Sequence, residues 1–281
     1  MKIDFHVHVT PPDISANWEK YAEKEPYFSL LSRGKVNKFA SAEDVLSMLE
    51  KEGFDRAVVF GFAFCDMGLC RYVNDYVIEK VGRYPDKLTG FAVVPPCGKD
   101  AAGEIERCHD AGLKGVGELF PEGQGIDLED RIQTMPLTGV CKERGLPLLL
   151  HANESVGRSY PGKTGVTLRQ LEKFVSDNAG VKIVLAHWGG GIFLYETMKE
   201  IKEAFRDVYY DTSASPFLYD GRIYKAAKAL GLCGKILFGS DFPLLPPSRY
   251  LAGIEESGFS GEEKALLFGG NAEKAAGLLS A

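Results

Sequence analysis

The chain has 281 residues, 45% hydrophobic and 26% charged, and its 33 Lys plus Arg against 39 Asp plus Glu leave a net charge of -6. A composition this close to the globular average excludes disordered and fibrous classes. With an acidic balance and no dense Lys/Arg run, nucleic acid and anionic membrane are poor partners, and no apolar stretch reaches the roughly 18 residues of a membrane helix.

The first predicted strand, residues 3–8, carries Asp4, His6 and His8 where the apolar centre of a signal peptide would lie, so a cytoplasmic protein is expected. Residues 10–40 come next, too many for an ordinary strand-to-helix loop. They hold Trp18, Tyr21, Tyr27, Phe28 and Phe39 without the composition of a linker, and are expected to form a lid or the contact of a homo-oligomer. Ser41 then caps a helix that has Glu43 and Asp44 in its first turn and Gly53 at its end. Strands are predicted at 57–62, 88–94 and 114–120, with a helical run at 104–111. The pattern continues as helix 128–144, strand 147–151, helix 167–178, strand 182–187, helix 192–205, strand 208–212, helix 220–230 and strand 235–240.

Strands alternating with helices predict βαβ units and a parallel sheet. The runs 146–150 and 181–186 are apolar throughout, as strands buried on both faces are. Eight repeats favour one domain over residues 1–281, an α/β fold of the (β/α)8 TIM-barrel type with a long insertion after its first strand. The dinucleotide-binding alternative lacks a Gly-x-Gly-x-x-Gly turn after strand one. Six cysteines, at 65, 70, 97, 108, 141 and 233, include no Cys-x-x-Cys pair, which predicts free thiols. The five-residue step from Cys65 to Cys70 matches no zinc knuckle.

His6 and His8 are two residues apart on a strand, so both imidazoles share a face and can reach one ion. His151, His187 and Asp241 each follow an apolar run, at strands five, six and eight. Barrel enzymes place their reactive groups at these C-terminal strand ends. Four of the chain's five histidines fall in such positions, and together with Asp241 they predict one metal-binding mouth. His109, in the run 104–111, is expected to be structural, and Asp211, after strand seven, a supporting residue.

The motifs Asp4-Phe5-His6-Val7-His8, Leu150-His151-Ala152, Ala186-His187-Trp188-Gly189-Gly190 and Phe238-Gly239-Ser240-Asp241-Phe242-Pro243 resemble the amidohydrolase superfamily, in its amidohydrolase-related branch. The tail Gly270-Asn271-Ala272-Glu273-Lys274-Ala275-Ala276 resembles the last helix of that branch. The resemblance implies a divalent metal, often zinc, held by His6, His8, His151 and Asp241. It also implies that Asp241 moves the proton of an activated water and that His187 polarises the bond attacked. Glu118, near the end of strand four, resembles the bridging glutamate of the TatD-like deoxyribonucleases. With His187 as a further ligand, that implies two ions. The alternative is that Glu118 supports a ligand or binds substrate. Asn153, Arg158 and Lys163, in the loop after His151, are candidate contacts for a small-molecule substrate.

The expected reaction is hydrolysis of an amide, ester or lactone. The alternative is non-oxidative decarboxylation of an unsaturated or aromatic acid. A phosphoesterase that also begins with His-x-His would end on an Asp-x-His pair, where this chain has Asp241-Phe242-Pro243.

Overall fold

A computed structural model describes residues 1–34, 38–95 and 100–277, so Cys97 and residues 35–37 of the insertion lie outside the described residues. Eight strands run in chain order: β1 (Ile3–His8), β2 (Arg56–Phe60), β3 (Leu88–Gly90), β4 (Val116–Leu119), β5 (Leu148–Leu150), β6 (Ile183–Leu185), β7 (Val208–Asp211) and β8 (Ile236–Leu237). All neighbouring pairs within the two runs β1-β2-β3 and β4-β5-β6-β7-β8 are parallel. Single parallel bridges at Ala92–Val116 and Val7–Phe242 join the two runs at both seams. The result is a closed single-domain α/β barrel of the TIM type.

Several strands are shorter than their apolar runs. The run 88–94 keeps regular pairing only to Gly90, and 235–240 only over Ile236–Leu237. Register shifts interrupt β1 between Asp4 and Val7 and β4 between Val116 and Leu119, and such irregularities re-aim side chains at a barrel rim. After β8 the chain leaves extended geometry, with Asp241 at φ 60.

Helices surround the strands. Ser41 and Asp44 form a reciprocal capping box at the start of Ala42–Glu52, and Gly53 ends that helix in the left-handed region. The helix expected at 128–144 begins at Arg131, where the Asp130 side chain accepts the first free N–H groups. The helix expected at 192–205 is largely absent. Residues His187–Thr197 form a chain of tight turns in which Trp188 to Gly191 have positive φ, and only Lys199–Ala204 is α-helical.

The insertion folds into three short helices, Pro12–Ala16, Trp18–Ala22 and Pro26–Ser32, and packs on the barrel mouth. Phe28 is buried against Phe62 and Phe64, each 5.1 Å away between ring centroids. The buried Glu25 carboxylate accepts the N–H groups of Cys65 and Asp66, tying the insertion to the loop after β2. Among the described residues, no helix is long and apolar enough to cross a membrane.

Candidate metal centre

Six side chains gather at the C-terminal mouth of the barrel in two groups, His6 with His8 and Asp241, and Glu118 with His151 and His187. In the first, His8 Nε2 lies 3.3 Å from both His6 Nε2 and Asp241 Oδ1, and His6 Nε2 lies 3.7 Å from Asp241 Oδ1. In the second, His151 Nδ1 is 3.0 Å from Glu118 Oε1 and 3.2 Å from His187 Nε2, and His187 Nε2 is 3.4 Å from Glu118 Oε1. Glu118 also reaches toward the first group: its other oxygen, Oε2, is 3.4 Å from His6 Nε2 and 3.5 Å from His8 Nε2.

These separations would suit a metal coordination shell. Ligand atoms about 2.0–2.1 Å from a tetrahedral ion stand about 3.3 Å from one another. The separations that link His6 Nε2 and His8 Nε2 with each other, with Asp241 Oδ1 and with Glu118 Oε2 lie between 3.3 and 3.7 Å. The donor set, imidazole nitrogen and carboxylate oxygen, suits a divalent cation of the zinc or manganese kind.

Supporting contacts decide which nitrogen each imidazole presents. His6 donates from Nδ1 to Asp211 Oδ2 at 2.8 Å, leaving Nε2 for the cluster. His187 Nδ1 faces the Ser213 carbonyl at 3.1 Å, which likewise frees Nε2. His151 is reversed: Nε2 donates to the Gly162 carbonyl at 2.9 Å and Nδ1 faces Glu118. Phe120 lies nearly parallel to the His151 ring, with centroids 3.8 Å apart, and fixes its plane. Asp4, buried beneath His6, accepts the backbone N–H of Ser240 at 2.9 Å and so locks β1 to the segment carrying Asp241.

The local potential is strongly negative. Burial works against a proton on His6, yet Asp211 and Glu118 outweigh it and hold the imidazole well above its usual 6.5. His187 is pushed up to about 9, burial again being overcome, here by Glu118. For His151 burial wins and its pKa falls. Burial would raise Asp241, but His8, His6 and His187 bring it down to about 2. Asp4, with burial dominant, rises to about 7. A site that draws protons onto two buried imidazoles is one that attracts cations.

Above the ligands opens a cavity of about 510 Å³. Arg158 stands in its wall, with its guanidinium 3.3 Å from the Phe217 carbonyl. Asn153 and Lys163, the other two expected substrate contacts, do not. Asn153 is buried and clasps Thr164 through its N–H and hydroxyl. Lys163 directs its ammonium to the carbonyls of Val156 and Arg158. Both hold the loop together. His109 lies in the helix Ala101–Asp110, away from the mouth. Cys65 and Cys70 join neither ligand cluster.

Sequence reasoning passed over Ser213, Phe120 and the Gly162 carbonyl. Asp211-Thr212-Ser213 was visible as a polar run ending a strand, but its partners are more than 20 residues away.

A parallel barrel with its polar groups gathered at the C-terminal mouth has the architecture of an enzyme. The family model for amidohydrolase matches residues 3–278, and the chain belongs to that family, as an enzyme of the amidohydrolase superfamily. No curated protein matches it by sequence. Among solved structures it is similar to 5-carboxyvanillate decarboxylase from Sphingomonas paucimobilis (17% identity, TM-score 0.76, 98% of each chain covered). It is similar also to a dihydroxybenzoic acid decarboxylase from a Polaromonas species with bound manganese (17%, TM-score 0.75, covering 100% of this chain and 98% of that one). A third is described as a probable 2-pyrone-4,6-dicarboxylic acid hydrolase from Acinetobacter baumannii (17%, TM-score 0.66, 98% and 99%).

Proposed function

We propose that this protein is a metal-dependent hydrolase that cleaves an amide, ester or lactone bond of a small molecule, and that it holds two divalent ions, zinc by preference. The observation that carries this reading is Glu118, a buried carboxylate with one oxygen toward each ligand cluster. His6, His8 and Asp241 would hold one ion and His151 and His187 the other, with Glu118 shared. Ions there would supply Lewis acidity and bring the pKa of a water from 15.7 toward about 7.

The chain's own groups do the rest. Asp241 lines the cavity and is ionised at neutral pH, so it can accept a proton from the attacking water. It returns that proton to the leaving oxygen or nitrogen. Water's OH ends on the acyl carbon, and the C–O or C–N bond breaks. His187 Nε2 faces Glu118 and His151, which fits a ligand in the two-ion arrangement. With one ion it keeps its proton and donates to the developing oxyanion.

Decarboxylation is the second reading, supported by the decarboxylases of similar fold, one of them with manganese. It would use the His6–His8–Asp241 cluster alone. The test is metal content by mass spectrometry, paired with panels of lactones, esters, amides and aromatic acids. Two ions per chain, with solvent oxygen appearing in the product, is expected. One ion with release of CO2 would overturn the hydrolase reading.

A further inference from the structure

Outside the candidate ligands, the cavity wall is mostly apolar, with a few hydroxyls from Thr10, Ser32 and Tyr160. Phe28 and Phe39 come from the insertion, Phe62 and Phe120 follow β2 and β4, and Phe217 and Leu244 follow β7 and β8. The carboxylates in the wall, Glu118 and Asp241, both belong to the ligand clusters. The charged groups left among the described wall residues are Lys38 and Arg158, both cationic and both exposed at the mouth. Neither forms an ion pair with a described carboxylate, and Arg158 has the Phe217 carbonyl as its hydrogen-bond partner.

Resting on the hydrolase reading, we propose that the substrate is an amphiphilic carboxylate with three parts. Its scissile acyl bond sits at the ligand clusters, and an aryl or branched-alkyl body lies against the phenylalanines. Its carboxylate, at the end away from the scissile bond, pairs with Arg158 and Lys38 at the mouth. A volume of about 510 Å³ accommodates such a body as well as the reacting group. The wall is mostly apolar, with Thr10, Ser32 and Tyr160 supplying its side-chain hydroxyls, so most hydroxyls of a sugar-like body would lose their partners on entering, which selects against such a body. The two mouth cations complement an anion, and a guanidinium fork matches a carboxylate geometrically. Because both cations are exposed, they set orientation and discrimination, while the apolar contacts supply most of the affinity.

Three non-hydrolysable ligands test this on the metal-loaded protein by calorimetry: 3-(4-carboxyphenyl)propanohydroxamic acid, its 4-carboxamide analogue, and gluconohydroxamic acid. The hydroxamate pins one end at the ligand clusters, so only the other end and the body vary. The carboxylate is expected to bind about tenfold more tightly than the carboxamide. That advantage should disappear in the double variant Arg158→Gln with Lys38→Gln, and the gluconohydroxamate should bind at least about a hundredfold more weakly. A carboxamide bound as tightly as the carboxylate overturns the proposal. So does an advantage that survives in the double variant, a gluconohydroxamate of equal affinity, or no binding at all. These measurements need no turnover. A protein that shows the expected binding pattern yet hydrolyses no acyl bond would instead remove the hydrolase reading.

Discussion

The carboxylate of Asp211 meets the imidazole of His6 with Oδ2 2.8 Å from Nδ1, while its Oδ1 accepts the backbone N–H of His187 at 3.0 Å. One buried side chain thus holds a histidine of each cluster in place. Asp211→Asn keeps the shape but replaces one carboxylate oxygen with an NH2 donor, so His6 loses the acceptor that fixes its tautomer. Metal affinity should fall about 10–100-fold, measured by competition with a chromogenic chelator. Unchanged affinity would remove Asp211 from this role.

Glu118→Gln should lower metal content from about two ions per chain to about one, read by elemental analysis of protein saturated with zinc. The neutral amide offers one oxygen where the carboxylate offers two, and it no longer offsets repulsion between dications about 3.5–4 Å apart. Two ions retained in the variant, or one in the parent, would show that Glu118 does not bridge.

Asp241→Asn should leave the circular dichroism spectrum intact and reduce kcat by about 10²–10⁴-fold. The reduction follows from losing both an anionic ligand and the group that moves the proton. A folded, metal-loaded variant that turns over normally would contradict the assignment.

Glu104 gives a prediction remote from the mouth. It is buried, and although burial would raise its pKa, Arg107 and Asn74 hold it down to about 2 against the ordinary 4.5. A depressed folded pKa stabilises the protein above pH 4.5, and that contribution is lost as pH falls from 4.5 toward 2. Glu104→Gln should therefore cost on the order of 2 kcal/mol at pH 7, a figure kept modest because Arg107 is half exposed. The gap between the urea midpoints of parent and variant should narrow at pH 3. An equal gap at both pH values would show that the carboxylate charge contributes nothing.

Much of the site was legible because parallel-barrel strands are short apolar runs that end where polar groups begin, and His6, His8, His151, His187 and Asp241 all stand at such ends. Glu118 was readable in position, but its two-sided reach rests on contacts with His6, His8, His151 and His187, all distant in sequence. The turn after His187 was not readable. Gly190 lies at φ 61, where an added Cβ would stand 2.1 Å from the carbonyl oxygen of Asn153, a contact that no local pattern encodes. The same close approach replaces the expected start of a helix at Ile192. Asn153 and Lys163 were misleading for a related reason. Residue type suggested ligand contacts, while their hydrogen bonds are spent within the loop.

The seam between β1 and the chain after β8 carries a consequence for assembly. Asp4 and Ser240 meet there across 236 residues of sequence, and His6, His8 and Asp241 face one another just above. A ligand set split between the first and last strands cannot form until nearly the whole chain has been threaded and its longest loop closed, which is the slow, entropically costly end of folding. An ion held by His6, His8 and Asp241 together would need the completed ring. Such an ion would stabilise the finished molecule by RT ln(1 + [L]/Kd), to the extent that it binds the closed barrel more tightly than partly folded forms. Cofactor capture would thus double as a check that the barrel has closed.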